Sequence, residues 1–168
     1  PHDSALYDIR PVREEAHARF SATSRTYRYY VTLRKDPFQE ARMLRLYFPL
    51  DFDRMNEAAG RLKDFTDFTS FSKLHTDVKT NNCRVTEAYW QAGVEDGQWI
   101  FTITADRFLR NMVRAVVGTL FQVGKGRLSV EDFCAVIEAK DRGQAGSSAP
   151  AHALYLEQVD YPEDLYLD

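Results

Sequence analysis

Apolar residues recur at intervals of three and four through RFLRNMVRAVVGTLFQV, where Phe108, Leu109, Met112, Val113, Val116, Val117 and Leu120 would line one side of an amphipathic helix. This spacing predicts a helix over Arg107–Val123, stopped by Gly124 and Gly126. Met55, Ala58, Ala59 and Leu62 repeat the same period and predict a helix over Asp53–Asp64. The period shortens elsewhere. TYRYYVTL (Thr26–Leu33) is rich in β-branched and aromatic residues and reads as a strand. Arg84–Ala92 and Gln98–Ala105 read as a hairpin joined by the turn-rich GVEDG. Ser129 and Asp132 are spaced as a capping box for a further helix reaching Lys140. Asp141–Pro150 is small, polar and helix-breaking, hence a loop, and Leu154–Tyr161 closes as a strand.

Strands in sequential pairs with segregated helices predict an α+β fold, a mainly antiparallel sheet with helices packed on one face. With 168 residues, 44% hydrophobic and 13% aromatic, the chain can bury one substantial core. No repeat or linker divides residues 1–168, so they read as one domain. No apolar run approaches the ~18 residues of a membrane span, and no signal-peptide pattern precedes the fold. Cys83 and Cys134 make no CxxC, which points to a reducing, cytoplasmic setting. His2, His17, His75 and His152 are scattered without metal-ligand spacing, so no metal is expected.

A net charge of −3 speaks against nucleic-acid binding, but its distribution speaks for it. No acid occurs from Ala16 to Lys35 or from Arg107 to Val130, and each run carries five cations. On the predicted helix, Arg107, Arg110 and Arg114 would share one arc with Asn111 and Gly118, a face suited to an anion. In SRTYRYY, Arg25, Tyr27, Arg28 and Tyr29 interleave guanidinium groups with rings, as sites that stack bases and contact phosphates do. Asp67–Val85 adds Lys73, His75, Lys79 and Arg84 in a long polar segment. A Ser70/His75 hydrolase pair lacks the glycines of a nucleophile elbow.

Four stretches occur together in a known order and spacing: HARFSATSRTYRYY, DFTSF, ADRFLRNMVRAVVGT and a late AG-x-x-AP-x-x-x-L-x-L. In these the chain resembles the C-terminal half of the TruA-type tRNA pseudouridine synthases, from Pro1 to about Pro162. The resemblance implies isomerisation of uridine to pseudouridine in the tRNA anticodon stem-loop, at positions thirty-eight to forty, without cofactor or metal. It also implies a cytoplasmic homodimeric enzyme whose catalytic aspartate lies in a GRTDAG-like motif of the N-terminal half. The chain has no such motif, and its first residue is Pro1, so it is expected to be the C-terminal half alone and inactive alone. Asp67 and Asp106 are not assigned as catalytic.

By position, Tyr27 matches the tyrosine that packs on the target base, and Arg114 the arginine that pairs with the catalytic aspartate. Arg19, Arg25, Arg28, Lys73, Arg84, Arg107, Arg110 and Asn111 are the expected RNA contacts. Without its partner, Arg114 is expected to turn to solvent, an anion, a local acid or another chain. Gly118 is expected to admit a close neighbour, and the stretch RGQAGSSAPAHALYL, where Ser147-Ser148 and Ala153 depart from the family's pattern, to be a peripheral loop. Two other readings stay open: a non-catalytic RNA-binding module, and an interaction domain whose basic helix docks an acidic partner.

Overall fold

The computed structural model describes residues 2, 4–73 and 80–167. Its sheet is built around β1 (Ser24–Thr32), which lies between the antiparallel β4 (Gln98–Ala105) on one side and two strands on the other. The antiparallel β5 (Leu154–Asp160) pairs with its first part, and the two-residue parallel β2 (Leu44–Arg45) with its last. β3 (Val85–Ala92) forms the far edge through the expected hairpin with β4. The α+β expectation therefore holds, with β2 as the one parallel piece among the described strands.

Strand alternation decides what each face does. Tyr29 and Val31 of β1, Phe101 and Ile103 of β4 and Trp90 of β3 are buried beneath three helices. α1 (Phe52–Arg61) contributes Met55, Ala58 and Ala59, and Asp51 caps it by accepting from the Arg54 amide at 3.0 Å. Asn56 of α1 also serves the edge strand: its side-chain amide donates to the Trp90 carbonyl at 3.0 Å and accepts from the Trp90 amide at 2.6 Å. That covers backbone groups an edge strand would otherwise leave unpaired. α3 (Val130–Glu138) begins with both bonds of the expected capping box, between Ser129 and Asp132, at 2.9 and 3.0 Å.

The central helix departs from expectation. α2 spans Met112–Gly124, starting five residues later than the periodicity predicts. Asn111, just before it, has φ +69°, a left-handed conformation that no helix can continue through. Upstream, residues 106–110 run without helical structure, and the Arg110 carbonyl accepts from the Lys73 amide at 3.1 Å. Leu109 is buried all the same. Arg107 and Arg110 consequently lie off the helix, and the single arc of three arginines does not exist.

Candidate active site

The N-terminal end of α2, the Phe108–Asn111 turn, Tyr27 on β1 and the 142–148 loop enclose an open cleft of about 760 Å³. Among the described residues its charged lining is entirely basic: Lys73, Arg110, Arg114 and Arg142. Tyr27 is half-buried, its ring packed edge-on against Phe108 at 5.1 Å and 86°. Tyr29, two residues on, points from the same sheet face but lies wholly within the core. Its hydroxyl donates to the Pro150 carbonyl at 2.8 Å, and burial holds its phenol well above the usual range despite the pull of the nearby Arg114 charge. Of the two tyrosines, only Tyr27 presents a ring to the cleft.

Arg114 is half-buried and makes no ion pair among the described residues. Its Nε donates to the Ala149 carbonyl at 2.7 Å, while its own carbonyl accepts from the Ala149 amide at 2.9 Å. One edge of the guanidinium is thus tied to a backbone oxygen, while the residue lines the open cleft. Ala149 is only 3% exposed, so the loop expected to be peripheral forms one wall of the site. Close approach permits this. A Cβ on Gly118 would be driven into the Ser147 carbonyl oxygen, and one on Gly146 would stand 3.0 Å from the Gly118 carbonyl oxygen. The expected role of Gly118 is borne out.

The expected RNA contacts fall into three groups. Lys73, Arg110 and Asn111 line the cleft beside Tyr27 and Arg114. Arg19, Arg25, Arg84 and Arg107 gather outside it, around the end of β4. There Arg25 donates to the carbonyls of Asp106 at 2.6 Å, Ala22 at 3.0 Å and Arg19, and so fastens the chain before β1. The Arg84 amide donates to the Asp106 carboxylate at 2.7 Å, and Arg107 lies close to Cys83, whose thiol burial pushes up to about 11. Arg28 lies apart from both groups, on the opposite face of the sheet, paired with Glu157 at 2.8 Å. His75 and Lys79 lie outside the described residues. Ser70 is fully buried, its hydroxyl donating to the Val136 carbonyl at 2.6 Å and accepting from the Asp141 amide at 3.0 Å, which leaves no nucleophile there. Asp67 is likewise structural: its bonds to Thr69, and secondarily Lys140 at 3.1 Å, hold its carboxyl below the usual range.

Sequence reasoning passed over two residues of the cleft, Arg142 and Ser148. The available signal was a lone arginine heading a loop that, Gln144 apart, consists of glycine, alanine, serine and proline. Among the described residues, no three His, Cys, Asp or Glu side chains come together as metal ligands, and no helix is long and apolar enough to cross a membrane.

A family model described as tRNA pseudouridine synthase matches residues 60–162, a span that includes α2, the wall-forming loop and β5. Over 167 residues the chain is 66% identical to tRNA pseudouridine synthase A of Porphyromonas gingivalis, covering 99% of this chain and 66% of that protein. It is 61% identical over 166 residues to the protein of the same name from Parabacteroides distasonis, covering 99% of this chain and 65% of that protein. With the one from Bacillus velezensis it shares 39% over 163 residues, covering 96% of this chain and again 65% of the relative. The chain thus spans slightly under two thirds of the length of these curated relatives. A basic cleft joining a tyrosine strand to an arginine-bearing helix, with a matching family model across most of its walls, leads to one assignment: this chain belongs to the tRNA pseudouridine synthase family.

Proposed function

We propose that this chain is the C-terminal part of an enzyme that converts uridine to pseudouridine in the anticodon stem-loop of tRNA, at positions thirty-eight to forty. In this reading the N-terminal part brings the catalytic aspartate to Arg114. One observation carries the proposal: Tyr27 and Arg114, singled out from separate motifs, line the same cleft, which is free of acids among the described residues. Its chemistry is redox-neutral. The bond from C1′ to N1 of uracil breaks, the base turns, and C1′ bonds to C5; the C5 hydrogen leaves as a proton and N1 takes one up.

Each cleft residue has a part in that sequence. The Tyr27 ring, backed by Phe108, offers a face to the base. The positive guanidinium of Arg114 lowers the aspartate's pKa and sets its direction through a planar fork. Lys73, Arg110 and Asn111 hold the phosphates and sugars flanking the target, while Arg19, Arg84 and Arg107 extend the track beyond the cleft, with Arg25 bracing the backbone beside them. The full-length enzyme is cytoplasmic and homodimeric in this proposal.

The test is release of label from uridine labelled at carbon five in a tRNA transcript. Full-length protein should release it, and this chain alone should not, because charge pairing without a carboxylate supplies no nucleophile. Release by the isolated chain would overturn the division of labour. Binding without release by the full-length protein would favour a non-catalytic RNA-binding module.

A further inference from the structure

We infer that Arg142 and Ser148 form a latch that fixes the orientation of Arg114, making both positioning residues for the reaction. The inference rests on the proposed pairing of Arg114 with a carboxylate. The segment from Arg142 to Pro150 has neither helix nor strand, yet it is tied down along its length. The Gly146 amide donates to Thr119 Oγ1 at 2.9 Å, and the Pro150 carbonyl accepts the Tyr29 hydroxyl at 2.8 Å. Between these anchors, Arg142 bridges the strap from inside. Its Nη1 donates to the Gly146 carbonyl at 3.2 Å and its Nη2 to Ser148 Oγ at 3.0 Å. Ser148 Oγ also accepts from Asn111 Nδ2 at 2.6 Å, which ties the strap to the left-handed residue before α2.

Ala149, the next residue, holds Arg114 by both main chain and side chain. With Nε committed to the Ala149 carbonyl, a carboxylate must approach the end of the guanidinium, across Nη1 and Nη2. Bidentate pairing has strict directional demands, so a strap that shifts Ala149 also turns that end. Arg142 lines the cleft and carries the charge of a phosphate ligand, but each of its Nη atoms already donates to an acceptor within the strap. A lysine, whose three donors share one nitrogen, lacks the fixed pair of donor nitrogens that meets these two acceptors.

In the full-length protein, single-turnover rates at saturating tRNA and tRNA dissociation constants should be measured for Arg142→Met, Arg142→Lys and Ser148→Ala, with Arg114→Lys as reference. Misplacing a reacting group by about 1 Å can cost on the order of 100-fold, so Arg142→Met should slow the chemical step by about tenfold or more. Its tRNA affinity should be unchanged. Arg142→Lys should fail to restore the rate, and Ser148→Ala, which deletes only the shared acceptor, should slow it in the same sense. If Arg142→Met does not fold, Ser148→Ala decides alone. Weakened tRNA binding with an unchanged saturated rate would overturn the latch and make Arg142 a phosphate contact; full activity in Ser148→Ala and Arg142→Met would overturn it outright. If Arg114→Lys is also silent, the underlying pairing is what fails. If Arg114→Lys is slow while the latch variants are normal, the latch alone is wrong.

Discussion

Two tyrosines a single strand period apart have opposite fates. Tyr27 is half-buried in the cleft, whereas Tyr29 is sealed in the core with its hydroxyl on Pro150. In the full-length enzyme, Tyr27→Phe keeps the ring and its edge contact with Phe108, so it should isolate what the hydroxyl contributes. Tyr27→Ala removes the stacking surface, worth about 1–3 kcal/mol per base, and should slow turnover about 5- to 150-fold beyond Tyr27→Phe without lowering thermal stability much. Tyr29→Ala should act differently, because emptying a core aromatic costs about 3–5 kcal/mol and shows first in the melting temperature. Paired melting curves and label-release rates check this; a Tyr27→Ala enzyme with full activity would remove Tyr27 from the site. The placement of Tyr27 and Arg114 was legible in the sequence because each sits in a compact local motif. Arg142 was not, since its partners are a carbonyl and a hydroxyl whose positions depend on the path of a loop without periodicity.

The elements show why hydrophobic spacing reads helices well and their ends poorly. Every strand and helix expected from the sequence is present, and the hairpin strand Gln98–Ala105 has the predicted bounds. The start of α2 was misplaced because intervals of three and four do not require a helix. A segment without helical structure can bury Leu109 and pack Phe108 on Tyr27, with Asn111 taking a left-handed conformation before α2 begins. Glycines give the corresponding test at element scale. Gly60 in α1 has open space where a Cβ would go, so Gly60→Ala should raise stability by about 0.5–1 kcal/mol through helix propensity. Gly118→Ala gains the same propensity but meets the Ser147 backbone, and overpacking of this kind costs about 1–3 kcal/mol or more. The strap must shift, so denaturant melts should show a net loss of stability and the full-length enzyme a slower chemical step. A stabilised and fully active Gly118→Ala protein would mean that the strap yields freely and that its closeness to α2 has no functional consequence.

At the scale of the whole molecule, segregation of charge turns into a path. The helices cover one face of the sheet, and the cleft opens at their edge, with Lys73 and Arg110 in it and a band of Arg19, Arg84 and Arg107 around the end of β4, where Arg25 braces the backbone. Arg28 belongs to the opposite face, half-exposed and neutralised in part by Glu157. A tRNA lying along the cleft and the band would therefore pass Arg28 by. Each phosphate neutralised by a cation releases counterions, so the slope of log affinity against log salt becomes shallower by roughly 0.7–0.9 for every phosphate left without its cation. In the full-length protein, Lys73→Ala and Arg110→Ala should each flatten that slope by about this amount and weaken binding at low salt. Arg28→Ala should change neither slope nor affinity, although it frees Glu157 on the far face. Titrations of labelled tRNA at several salt concentrations make the comparison directly. A slope change from Arg28→Ala equal to that from Arg110→Ala would put RNA on both faces of the sheet, and the cleft-and-band path would be wrong.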